Sequence, residues 1–80
     1  MLKYVICYSD DTKEYEGENT PFWDLWLIDD DGRDRWSDGV AGVTELAEAR
    51  RILGVPAEAT LESEPVCDPY TEAWAYEAAE

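Results

Sequence analysis

Two short segments in the first third of the chain are rich in hydrophobic residues, and the first of them shows a loose alternation of side chains. Between residues 2 and 8, the even-numbered positions are all large and apolar. Successive side chains of a strand point to opposite faces of a sheet, so this segment predicts a β-strand. Residues 22–28 are largely apolar on both faces, which predicts a second strand at the centre of a sheet.

A turn is predicted immediately after the second strand. Asp31 and Gly32 both tolerate a positive φ, so they predict a two-residue hairpin turn, with a return strand over residues 33–37. The connection between the first two strands, residues 9–21, is polar, and it includes an expected strand extension at residues 12–16.

One helix is predicted over residues 43–53. Thr44 is its expected N-cap, and Gly54 followed by Pro56 ends it. Leu46, Ala49, Ile52 and Leu53 recur at helical spacing, which predicts that they share one buried face. We expect the following side chains to be buried together in the core: Trp23, Leu25, Leu27, Leu46, Ile52 and Leu53.

The C-terminal third has one clear element and one ambiguous element. Residues 59–66 alternate and predict a strand. Residues 71–79 are rich in alanine and follow an Asp-Pro pair, which favours a helix, whereas the alternation of Trp74 and Tyr76 favours a strand. With helix preferred, the predicted fold class is α+β: an antiparallel sheet of three to four strands with one or two helices packed on one face.

Composition adds a strong acidic surplus to this picture. The 80 residues contain 20 acids and six bases, for a formal net charge of −14. With 45% hydrophobic residues, four tryptophans and five tyrosines, the chain is expected to fold as one domain over residues 1–80. We expect a cytoplasmic protein, because the chain has neither a signal peptide nor a stretch long enough to span a membrane. Its charge argues against direct contact with nucleic acid or an anionic membrane.

The residue types offer little catalytic chemistry. The chain has no histidine and no glycine-rich phosphate loop, and its two cysteines, Cys7 and Cys67, have no metal-ligand spacing and are expected to be free and buried. The aspartates around Gly32 fit a calcium loop at only two positions, because Leu27 stands where the first ligand is required. We therefore expect no enzyme, no cofactor and no specific metal site.

Acidic residues recur in three clusters, and these are the predicted partner-binding sites. Alternate side chains of a strand lie about 6.6–6.8 Å apart on one face, so spaced carboxylates approximate a ladder of phosphates. Exposed aromatic side chains add the anchoring contacts that carboxylates lack. The predicted partner-binding residues are Glu14, Glu16, Glu18, Asp29, Asp30, Asp31, Asp34, Asp38, Glu62 and Glu64, with the aromatic residues Trp36 and Tyr15.

In its size, its acidity and its predicted α+β fold, the whole chain resembles the small acidic anti-CRISPR and antirestriction proteins that phages encode. The resemblance implies a nucleic-acid mimic that occupies a basic nucleic-acid-binding site of a bacterial defence complex, such as a CRISPR effector, in the host cytoplasm. It implies that the protein blocks DNA binding by its target. Separately from the resemblance, we expect a monomer or a dimer.

A second hypothesis is an acidic protein-interaction domain, halophile-adapted or generally acidic, whose charge serves solubility. Lysine occurs only twice in the chain and is outnumbered by arginine, which fits adaptation to high salt and equally a GC-rich genome. The distribution of charge distinguishes the two hypotheses. A mimic needs acidic residues on one continuous face, whereas charge that serves solubility is spread evenly over the surface.

Overall fold

The computed structural model of the chain describes residues 2–9, 21–65 and 72–78. The described residues form a five-stranded antiparallel sheet, in the order β3-β2-β1-β5-β4, and one helix, α1. The elements are β1 (Lys3–Ser9), β2 (Phe22–Ile28), β3 (Asp34–Ala41), α1 (Leu46–Leu53), β4 (Thr60–Ser63) and β5 (Glu72–Glu77).

The predicted α+β class is wrong, because the described structure is dominated by its sheet. Five strands replace the expected three or four, and the segment favoured as a C-terminal helix is the strand β5, which pairs with β1. Trp74 and Tyr76 pack in the main core, while Ala73 and Ala75 lie in a second cluster. The alternation of side chains therefore outweighs the helix propensity of alanine once a sheet is there to receive the strand.

The main core lies between α1 and one face of the sheet. Ile6 of β1, Trp23 and Leu25 of β2 and Tyr76 of β5 are buried there against Ala49 and Leu53 of α1. The Trp23 indole donates a hydrogen bond to the Val43 carbonyl oxygen at 2.7 Å, which ties the segment before α1 to the sheet. The predicted burial is confirmed for Trp23, Leu25 and Leu53, while Leu27 and Leu46 are partly buried.

The inward face of α1 differs from the predicted one. Ile52 is 44% exposed, whereas the Arg50 guanidinium lies over the ring of Tyr76, 4.1 Å from its centroid. A cation over an aromatic face is an attractive arrangement, and the stem of arginine covers apolar surface. The helix also begins later than expected: Glu45, not Thr44, is the N-cap, and it makes no side-chain capping bond. Its C-terminal end is confirmed, with Gly54 at φ 86°.

A second hydrophobic cluster lies on the opposite face of the sheet. Val5 and Cys7 of β1 are buried with Ala73 and Ala75 of β5, and Trp26 packs against them. These residues alternate with those of the main core along each strand, so both sides of the central strands are apolar. The expectation that β2 is a central strand is thereby confirmed, since it lies between β1 and β3.

Candidate partner-binding surface

The hairpin between β2 and β3 is held by one aspartate. The Asp29 carboxylate accepts hydrogen bonds from the backbone N–H groups of Asp31 at 3.0 Å and Arg33 at 3.1 Å. The N–H of Gly32 donates to the Asp29 carbonyl oxygen at 3.0 Å, so the turn is centred on residues 30–31. Gly32 follows at φ 78°, as in three-residue hairpin loops. The predicted two-residue turn at Asp31-Gly32 is therefore wrong by one position, and Asp29 has a structural role.

Trp36 is the most exposed large hydrophobic side chain of the described residues, at 52%. It lies opposite Trp26 on the sheet face that carries the second cluster. Its indole N–H donates a hydrogen bond to Oδ1 of Asp24 at 2.8 Å, and Asp24 is 9% exposed. The ring is therefore fixed in place while half of its surface faces solvent. The sequence predicted an exposed Trp36, but nothing in it revealed the role of Asp24.

A β-bulge divides β3 beside this tryptophan. Trp36 pairs with Trp26 and Asp38 pairs with Leu25, so Ser37 is the extra residue. Because of the bulge, Trp36 and Asp38 lie on opposite faces of the sheet, and the return strand continues past the predicted end at residue 37. Oδ1 of Asp38 accepts a hydrogen bond from the backbone N–H of Gly39 at 2.8 Å.

The two predicted site residues of the C-terminal half, Glu62 and Glu64, lie at the other edge of the described sheet. Glu62, in β4, forms an ion pair with Lys3 at 3.1 Å, with both side chains about two-fifths exposed. An exposed pair of this kind contributes little stability, but it compensates the charge of one predicted site residue. Glu64 follows β4 and is exposed. Strands β3 and β4 are separated by four interstrand steps, or about 19 Å at the usual strand spacing.

The predicted site residues therefore fall into separate groups. Asp30, Asp31 and Asp34 are exposed together with Trp36 on the hairpin, and Asp38 is exposed beyond the bulge. Asp29 is exposed but binds its own turn, and Glu62 and Glu64 belong to the opposite edge. Four predicted residues lie outside the described part of the chain: Glu14, Tyr15, Glu16 and Glu18.

Neither a metal centre nor a membrane-spanning helix is found in the described ranges. Within residues 2–9, 21–65 and 72–78, no three histidine, cysteine or acidic side chains are grouped as metal ligands. The helix described there is too short to cross a bilayer. Searches with models of protein families, among curated proteins and among solved structures found no match to this chain.

Proposed function

We propose that the protein is an acidic nucleic-acid mimic that binds a basic nucleic-acid-binding site on a bacterial defence complex and blocks DNA binding. The observation that carries this proposal is the β2–β3 hairpin. It presents exposed Asp30 and Asp31 in its turn, and exposed Asp34 on the same face of β3 as the fixed, half-exposed indole of Trp36. Carboxylates steer and orient a basic partner, and an exposed aromatic ring supplies contact area at low entropic cost.

The charge of the hairpin supports a basic partner. Five aspartates lie between residues 29 and 38, against two arginines, Arg33 and Arg35. The rest of the chain adds to the negative field, since the formal net charge is −14. A field of this sign repels nucleic acid and raises the association rate of positively charged surfaces, with a strong dependence on salt.

The alternative function, an acidic interaction domain whose charge serves solubility, is favoured by the separation of the acidic groups. Acids occur at both edges of the sheet, at β3 and around β4. The two functions differ in one measurable property. Mimicry requires particular carboxylates, whereas solubility depends only on their number.

A comparison of two triple variants tests this difference. The hairpin variant carries Asp30→Asn, Asp31→Asn and Asp34→Asn, and asparagine keeps an oxygen acceptor at each of these positions. The matched control carries three substitutions at exposed acids elsewhere: Glu45→Gln, Glu58→Gln and Glu72→Gln. Each variant has a net charge of −14 + 3 = −11. Asp29 is left unchanged because it holds the turn.

The assay is displacement of labelled DNA. DNA-binding complexes from a bacterial lysate are bound to immobilised DNA, eluted with the wild-type protein, purified, and titrated against fluorescent duplex DNA. We expect the wild type and the control variant to displace DNA, and the hairpin variant to lose displacement while its far-UV circular dichroism stays native. A ternary complex with unchanged DNA affinity, or equal loss in both variants, contradicts mimicry by this hairpin.

A further inference from the structure

Strand β3 forms one edge of the described sheet, and its backbone orientation follows from the turn. Opposed residues of an antiparallel pair alternate between hydrogen-bonded and non-hydrogen-bonded pairs. The N–H of Asp29 donates to the Arg33 carbonyl oxygen at 3.1 Å. The next pair, with Asp34, is therefore non-hydrogen-bonded, the Arg35 pair is bonded, and the Trp36 pair is again non-bonded. The backbone N–H and C=O groups of Asp34 and Trp36 thus point away from β2.

Two side chains beside this edge lie on the same face of the sheet. Asp34 and Trp36 share the face of the sheet opposite α1, since their partners Ile28 and Trp26 both pack against the second cluster. The hydrogen bond to Asp24 fixes the indole before any partner arrives, so binding does not have to order it. The bulge at Ser37 then limits regular pairing to the segment before it.

Charge selects the occupant of this edge. A second copy of the chain brings another net charge of −14, which opposes the pairing of two β3 edges. Like charges opposed across strands are destabilising, whereas opposite charges stabilise the pair. An extended segment with lysine or arginine at alternate positions places all of these cations on one face, where they meet Asp34 and the exposed ring of Trp36. Its intervening apolar residues then lie on the opposite face, beside Arg35.

We propose that the β3 edge, from Asp34 to Trp36, binds an extended basic segment of the partner as a sixth strand. Main-chain hydrogen bonds to a sheet edge supply affinity, and the side chains on either side supply selectivity. This inference deepens the proposed function, on which it rests for the positive charge of the partner. It adds that recognition is by backbone pairing as well as by charge.

The test uses the wild-type protein and two peptides of identical charge. The probe is the heptapeptide Lys-Val-Lys-Val-Lys-Val-Lys, and its control is the same sequence with every interior backbone nitrogen methylated. We expect methylation to weaken binding by about tenfold or more, because at least two main-chain hydrogen bonds are lost. Amide hydrogen exchange, followed residue by residue by NMR, reports the site directly. At about 90% occupancy, exchange at Asp34 and Trp36 slows about tenfold, whereas the Arg35 amide changes little because it already bonds β2.

Substitutions at position 36 give a second readout. Trp36→Phe keeps an aromatic ring but loses the bond to Asp24, and Trp36→Ala removes the ring, so the affinity for the unmethylated peptide decreases in that order. Equal affinity for both peptides, with unchanged exchange at Asp34 and Trp36, overturns edge pairing and leaves a mimic that acts through charge alone. The proposal is also overturned if, without peptide, amide exchange at Asp34 and Trp36 slows as the protein concentration rises. A second copy of the chain then occupies the β3 edge. Failure of DNA displacement with intact peptide pairing refutes the proposed function instead.

Discussion

The Asp29→Ala substitution tests the origin of the hairpin conformation. The Asp29 carboxylate accepts two backbone hydrogen bonds, from Asp31 at 3.0 Å and from Arg33 at 3.1 Å. Both N–H groups belong to the short loop that reverses the chain between β2 and β3. Alanine removes the acceptor and leaves these two donors to water, so the substitution weakens the turn without opening a cavity.

The expected cost follows from the exposure of these bonds. The net contribution of one hydrogen bond to the free energy of unfolding is about 0.5–1.5 kcal/mol, and exposed bonds lie at the low end of this range. We therefore expect the two bonds together to contribute about 1–2 kcal/mol. For a domain of this size, 1 kcal/mol lowers Tm by about 4–8 °C. Removal of one negative charge acts in the opposite direction by reducing self-repulsion.

The matched control for this charge effect is Asp31→Ala. This substitution removes the same charge two residues away, and it keeps the backbone N–H of residue 31 that donates a hydrogen bond to the Asp29 carboxylate. Thermal unfolding followed by far-UV circular dichroism at fixed salt measures both variants. We expect Asp29→Ala to melt at least about 4 °C below Asp31→Ala. Equal melting temperatures for the two variants would refute a structural role for Asp29. Its carboxylate would then again be a candidate for binding a partner.

Three further predictions concern packing and charge. Leu53 is 7% exposed, so Leu53→Ala should lower the free energy of unfolding, measured by chemical denaturation, by about 2–5 kcal/mol. Ile52→Ala, on the exposed side of α1, should change it by less than about 0.5 kcal/mol. Similar costs for the two variants would show that the helix faces are wrongly assigned. Gly39→Ala should lower Tm, because its Cβ would lie 2.7 Å from Cζ of the buried Phe22, and a wild-type Tm would contradict this close approach. Moderate NaCl should raise Tm, because it screens a net charge of −14 over a Debye length of about 10 Å at 0.1 M; a Tm that falls with salt would mean that attractive ion pairs dominate.

Local sequence was sufficient for the first two strands and for the end of the helix. The bounds of β2 match the predicted residues 22–28, because all of its residues but Asp24 are apolar and a polar segment follows it. Gly54 ends α1 as expected, since glycine adopts the left-handed conformation at φ 86° without strain. The exposure of the aspartates after β2 was also predictable, because several adjacent carboxylates are rarely buried.

Only the tertiary structure decided the C-terminal element, the helix face and the arrangement of the acids. Alanine favours a helix in isolation, but Trp74 and Tyr76 gain more by packing in the main core as β5 pairs with β1. The stacking of Arg50 on Tyr76 requires β5 to lie beneath α1, so helical periodicity alone assigned Ile52 to the wrong side.

The arrangement of the candidate partner-binding surface was likewise not predictable from local sequence. The local sequence supplied exposed acids and Trp36, but the order β3-β2-β1-β5-β4 placed the two described acidic groups at opposite edges of the sheet. The local sequence predicted the hairpin of β2 and β3 but not its register, and it is the observed register, with Trp36 opposite Trp26, that brings Asp24 to the Trp36 indole, 12 residues away in sequence. Strand order and cross-strand contacts depend on which distant segments meet, and residue spacing within one segment carries no information about that.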